Sequence, residues 1–216
     1  DCDVCACCSV RVRNISRSDW LKGWLMGALL IAGLSFGYDD ALLFEDLDLS
    51  FPEGGLTGIV GKNGTGKSTL CDIVAGIHTA EVQVCEWRGQ SLQLADFAQL
   101  VAYASQEPEF FPALTGIENL ELLGLLLEQP DGYVARTAEL AGLLGISPEN
   151  LRRKQSGNYS GGMREKLWLA AQLGTDREFL ILDEPFESLD SDSVDVLVGI
   201  LNEDWDAGQS RRSSLA

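Results

Sequence analysis

At 216 residues, 45% hydrophobic and 23% charged, the chain has the length and composition of a globular domain, which excludes disorder and fibrous repeats. Thirty-three acidic against sixteen basic residues leave a formal net charge of -17. Such a field repels a polyanionic backbone, so no nucleic-acid partner is expected.

The chain opens on Cys2, Cys5, Cys7 and Cys8, while Cys71 and Cys85 stand alone further on. A zinc site normally draws on two separated pairs or on histidine, and the opening cluster has neither nearby, so no metal role is assigned to it. The two later cysteines read as small buried thiols, reduced as in a cytosolic domain. The apolar stretch 20–36 is interrupted by Lys22 and falls short of the about 20 apolar residues that a spanning helix needs. No secretory signal is expected at the start, where acids and cysteines stand in place of a basic region. Residues 1–25 are left as an extension of unknown role, with an appendage or a peripheral anchor through Trp20 and Trp24 as alternatives.

From Met26 onward strands and helices alternate. Residues 28–38 read as a first strand, and 44–51 (FEDLDLSF) alternate as a half-exposed antiparallel strand does. A turn at 52–55 leads to a buried strand at 56–60, a glycine-rich turn at 61–66 and a helix at 67–76. The span 107–159 is helix-rich. Thr115 and Glu118 form a capping-box pattern, and ENLELLGLLLEQP is a helix stopped by Pro130, whose leucines suit a core face better than a partner helix.

Gly61, Lys62, Asn63, Gly64, Thr65, Gly66, Lys67, Ser68 and Thr69 satisfy G-x-x-x-x-G-K-[ST] between a strand and a helix, the context in which that motif is a P-loop. Its glycines let successive N–H groups point at phosphates, and the helix N-terminus adds positive potential. Lys67 reaches the outer phosphates, and the Ser68 hydroxyl suits magnesium. In FLILDEP, four apolar residues predict a buried strand that delivers Asp183 and Glu184 at its end. A parallel placement beside the P-loop strand would bring Asp183 to the magnesium and let Glu184 polarise an attacking water.

Between these motifs lie Ser160, Gly161 and Gly162, followed by a helix-compatible run. A serine and two glycines before a helix, N-terminal to LILDEP, resemble the signature motif of ABC-type ATPases, the nucleotide-binding domains of ABC transporters. Tyr38 is similar to the aromatic that stacks on adenine in that family, Gln106 to the Q-loop glutamine near magnesium and the reacting water, and Ser188, Leu189 and Asp190 to the D-loop. The resemblance covers residues 28–205. It implies an α/β P-loop NTPase core with a mostly parallel sheet, an N-terminal antiparallel β segment and a helical subdomain at about 107–170, the whole domain running from 26 to 216.

The resemblance also implies the function: an ATPase that binds ATP and Mg2+, pairs with a second ATPase subunit or a second copy of itself, and serves transmembrane transporter subunits from the cytoplasmic face of the membrane. Ser160 and the helix behind it would hold the γ-phosphate of the partner's ATP. YSGGM and LTGIENL resemble ATPases of ABC-2-type exporters, which implies export. The alternatives are a soluble ABC protein without a transport role and a nucleotide-binding subunit with little hydrolysis. The second arises because the family's switch histidine, on a strand beyond the D-loop, has no counterpart after Leu201, where a turn is expected. The one histidine, His78, reads as a turn residue.

Overall fold

A computed structural model of the protein describes residues 11–14, 27–39, 41–54 and 57–211. The opening cysteine cluster, the Trp20 and Trp24 stretch and residues 212–216 lie outside the described residues. The chain divides into two compact units, residues 1–99 with 205–216, and residues 100–204.

The first unit is built on two long antiparallel strands, β2 (Gly27–Tyr38) and β3 (Ala41–Pro52), with the short strands β5 (Val84–Trp87) and β6 (Gln90–Ser91) continuing the sheet in the order β3-β2-β5-β6. The alternation expected for 44–51 is present with one phase change: Phe44 is buried, then Leu47, Leu49 and Phe51. The register shift opposite Leu34 and Phe36 absorbs the extra residue. There Asp46 takes φ 51, and its N–H donates to Ser35 Oγ at 3.1 Å. A second irregularity falls at Gly33, whose φ is 66 and whose N–H donates to Asp48 Oδ1 at 2.9 Å. The left-handed conformation favours glycine here, and a Cβ on Gly33 would also displace the exposed Gln83 side chain, 2.5 Å away.

Helix α1 (Lys67–Val74) buries Leu70, Cys71, Ile73 and Val74. It stops two residues before the expected Gly76, which takes φ 80, and the N–H groups of Gly76 and Ile77 donate to the carbonyls of Ile73 and Asp72 at 3.1 and 2.8 Å. This paired closure meets the last carbonyls that the helix cannot satisfy itself. Cys71 and Cys85 are buried, as expected, and burial pushes the Cys85 thiol up from its ordinary range.

Two expectations for strands need correction. β4 (Thr57–Val60) is half-buried, with Val60 42% exposed, where a buried strand was expected. It pairs antiparallel with β1 (Arg11–Asn14), so part of the segment left without a role supplies a strand partner. In the second unit β8 (Phe179–Leu182) pairs in parallel with β7 (Val101–Ala104) and is likewise half-buried rather than buried. An apolar run specifies a strand, but neither its neighbour nor how many faces become covered.

The short α2 (Leu94–Phe97) belongs to the first unit, and the rest of the second unit is helical: α3 (Gly116–Leu126), α4 (Tyr133–Leu143), α5 (Pro148–Arg153) and α6 (Gly161–Leu173). Leu120, Ala141, Leu144, Ile146, Leu151, Leu167, Leu169 and Leu197 are buried together there. The capping box forms as expected: the Thr115 hydroxyl accepts from the Glu118 N–H, and the Glu118 carboxylate accepts from the Thr115 N–H at 2.7 Å. α3 ends before Pro130. Glu128 takes φ 51, and the Gln129 N–H closes onto the Gly124 carbonyl at 2.8 Å. Its leucines divide: Leu120 is in the core, while Leu125 and Leu126 are exposed. α7 (Ser191–Arg211) continues through the turn expected after Leu201, because that segment contains no proline and a single glycine costs a helix only about 1 kcal/mol.

Candidate functional site

In the first unit the chain leaves β4 at Val60 and enters α1 at Lys67 through a loop with two left-handed glycines, Gly64 at φ 79 and Gly66 at φ 92. The loop is braced internally: the Thr65 N–H and hydroxyl both donate to the Lys62 carbonyl, at 3.3 and 2.8 Å. Gly66 is the N-cap residue, so no side chain caps α1, and no acid stands in its first turn. The first N–H groups of a helix lack partners within it, and this end is arranged for an anion rather than for a capping hydroxyl. A Cβ on Gly64 would meet nothing within 4 Å, whereas one on Gly66 would press against Phe44 at 2.8 Å and Leu43 at 3.0 Å. The open side of the loop is the side a phosphate needs. The Lys67 ammonium folds back over the loop, donating to the carbonyls of Gly61 and Lys62 at 3.3 Å each. Ser68 and Thr69 follow it in the first turn of α1.

Tyr38 ends β2 and remains 49% exposed. Its hydroxyl lies 3.4 Å from Thr69 Oγ1 on α1 and 3.3 Å from His78 Nε2. Its ring stands perpendicular to those of Phe36 and His78, with centroids 5.0 and 5.8 Å away. His78 occupies a bend, as expected, but it also belongs to this aromatic group. A turn histidine 40 positions from the tyrosine gives no local signal of that contact.

In the second unit Ser160 is the N-cap of α6, its hydroxyl accepting from the Met163 N–H at 3.2 Å. Gly161 faces open space. A Cβ on Gly162 would come within 3.1 Å of the Ser188 carbonyl, so the start of α6 lies against the segment preceding α7. Asp183 is buried at the end of β8, and its N–H extends the parallel ladder to the Ala104 carbonyl at 3.0 Å. Glu184 is exposed and takes φ 51, a conformation that costs a residue with a Cβ some strain. Gln106 is exposed two residues beyond β7. Asp190 accepts from the Ser193 N–H at 2.9 Å, capping α7, and from Lys166 Nζ. These bonds, that from Lys166 first, hold its carboxyl well below the usual carboxylate range.

Two residues of this second group escaped the sequence reading. Lys166 gives no local signal of its pairing with Asp190, 24 positions away. Glu165 is buried on α6, and burial together with the Glu187 charge pushes its carboxyl up to about 7. Glu165 stands between Arg164 and Lys166, so the local sequence gives no sign of its burial. Among the described residues no group of three or more His, Cys, Asp or Glu is arranged to hold a metal by itself, and no helix is long and apolar enough to cross a membrane.

The chain is similar to known proteins over these same elements. A family model described as ABC transporter matches residues 44–187. An uncharacterized ABC transporter ATP-binding protein of Nostoc is 36% identical over 143 residues, 66% of this chain and 43% of that one. The energy-coupling factor transporter ATP-binding protein EcfA1 of Thermotoga maritima is 31% identical over 170 residues, 76% of this chain and 63% of that one. The chain thus spans between about two fifths and just under two thirds of the length of these relatives. A solved structure of an ATP-binding subunit of an ABC transporter superposes with a TM-score of 0.71 at 24% identity, covering 83% of this chain and 75% of that one, and so shares the fold. With the P-loop before α1 and the serine-capped glycines before α6 in place, the family match settles what kind of protein this is: the chain belongs to the ABC transporter ATP-binding family.

Proposed function

We propose that the chain is an ATP-hydrolysing subunit of an ABC transporter. It would couple the ATP-driven pairing of two such subunits to export through separate transmembrane subunits, from the cytoplasmic face of the membrane. The observation that carries this reading is the loop before α1: an uncapped helix end, two left-handed glycines, an open face at Gly64 and the Lys67 ammonium held at its rim. Those features fit a triphosphate, because backbone N–H groups and a point cation recognise phosphate oxygens without reading anything else. Gly61, Lys62, Asn63, Gly64, Thr65 and Gly66 would wrap the phosphates, Lys67 would neutralise the outer ones, and Thr69 would support them from the first turn. Ser68, Gln106 and Asp183 are an all-oxygen donor set suited to magnesium. When bound, the ion offsets the charge of the β and γ phosphates.

Glu184 is the proposed base that orients the attacking water, with Gln106 beside it in role. Tyr38 is the proposed platform for the adenine. Ser160, Gly161 and Gly162, at the start of α6, would receive the γ-phosphate of the other subunit's ATP, since that helix end also carries no acid in its first turn. Export rather than import is read from YSGGM and LTGIENL.

The test is Glu184→Gln, which keeps shape and hydrogen bonding but removes the carboxylate. With Mg-ATP the variant is expected to bind nucleotide as the parent does, to lose hydrolysis and to collect as an ATP-bound pair in size-exclusion chromatography. A variant that binds ATP at high concentration yet stays monomeric would count against the shared-site reading. Hydrolysis at the parental rate would remove Glu184 from its role.

A further inference from the structure

We infer that His78 is a positioning residue for nucleobase recognition, fixing Tyr38 against α1 so that the tyrosine ring is set for stacking before the nucleotide arrives. The inference rests on the reading of Tyr38 as the base platform and adds a residue to it. Tyr38 stands at the last position of a strand, is half exposed, and is followed by Asp39 at φ 49, so its own backbone gives the side chain little confinement. Its contacts supply what the backbone does not. The phenol oxygen lies 3.4 Å from Thr69 Oγ1 and 3.3 Å from His78 Nε2.

His78 is itself held. Its ring stacks on Phe36, with centroids 5.5 Å apart and planes 27° from parallel, and its Nε2 lies 3.8 Å from a carboxylate oxygen of Asp72 on α1. Its N–H also closes on the Asp72 carbonyl at 3.4 Å, as part of the turn that ends the helix. The same ring nitrogen therefore faces both the phenol and a carboxylate of the P-loop helix. Thr69, in the first turn of α1, and His78, just past its last, hold one hydroxyl between them. The helix that presents the phosphate loop thus also sets the aromatic ring, so the spacing between phosphate and base recognition is fixed by one rigid element.

Stacking requires the ring to lie in one plane. A tyrosine that must be immobilised when ligand binds forfeits affinity that a pre-set one keeps. Offset stacking and a fixed hydroxyl act on the base alone, which separates this role from phosphate binding.

The experiment uses the full 216-residue chain and two probes, Mg-ATP and Mg-tripolyphosphate, which carries the phosphates without the base. Titration calorimetry gives the ratio of the two affinities. His78→Ala is expected to lower that ratio about fivefold by weakening ATP alone, the order expected for one side chain ordered on binding instead of beforehand. Tyr38→Phe is expected to lower it at least as much, since it also removes the contact with Thr69, and His78→Ala added to Tyr38→Phe should lower it little further, because the hydroxyl that His78 holds is already gone. An unchanged ratio in His78→Ala, equal weakening of both probes, or additive losses in the double variant would each overturn the inference. Tyr38→Ala separates this outcome from a failure of the platform reading. If that variant also keeps the ratio, the platform itself is wrong; if it lowers the ratio while His78→Ala does not, only the positioning role falls.

Discussion

The ammonium of Lys166, on the helix capped by Ser160, lies 2.5 Å from a carboxylate oxygen of Asp190, the residue that caps α7. Lys166 is nearly buried and Asp190 more than half exposed, so the pair ties the interior of one helix to the mouth of another. Gly162 lies against the Ser188 carbonyl in the same seam.

Lys166→Met is therefore expected to lower stability near neutral pH. The Asp190 carboxyl is depressed in the folded state, so its contribution is present above the unfolded carboxylate value and is lost as pH falls through the folded one. Parent and variant should differ in urea midpoint at about pH 7 and converge in strong acid. A difference that persists unchanged into acid would assign the loss to packing of the lysine stem instead.

Glu165 predicts the opposite slope. Its carboxyl is raised to about 7 by burial and by Glu187, so the folded state prefers the protonated form, and stability falls as pH rises from the unfolded carboxylate value through the folded one. Glu165→Gln should match the parent at about pH 4 and exceed it at about pH 8, by about 1 kcal/mol, since the exposed Glu187 charge is screened by water. Denaturant titrations at the two pH values check this. Equal curves at the higher pH would mean that Glu165 is solvated enough to ionise freely.

The two glycines of the phosphate loop should respond differently to alanine. Gly64→Ala meets no atom and pays only for the left-handed backbone, about 1 kcal/mol, whereas Gly66→Ala also drives a Cβ into the Phe44 ring and the Leu43 side chain. A larger fall in thermal midpoint for Gly66→Ala is expected, along with weaker Mg-ATP binding. Equal midpoints would show that the Phe44 ring yields at no cost.

Lys67→Ala should leave the fold intact, because the lysine's bonds to the Gly61 and Lys62 carbonyls lie at the exposed rim of the loop. Binding of Mg-ATP should weaken by at least about tenfold, the order expected when a charge-assisted bond to phosphate is lost. Calorimetry measures it, and unchanged affinity would sink the phosphate reading of the loop.

What the sequence determined by itself is the chemistry that operates over a few residues. The P-loop spacing, the Thr115 and Glu118 capping box and the serine before α6 are recognisable because a turn or a cap is completed by neighbours in the chain. The tertiary structure alone decided what depends on distant partners. It paired β8 with β7 and β4 with β1, left β4 and β8 half-buried, and exposed Leu125 and Leu126 on a helix whose Leu120 is in the core. It also joined Lys166 to Asp190, buried Glu165, and brought His78 to Tyr38 across 40 positions. Periodicity determines which residues share a face. Only the packing of one element on another determines what that face meets, and so which carboxyl is depressed, which is raised and which ring is held still.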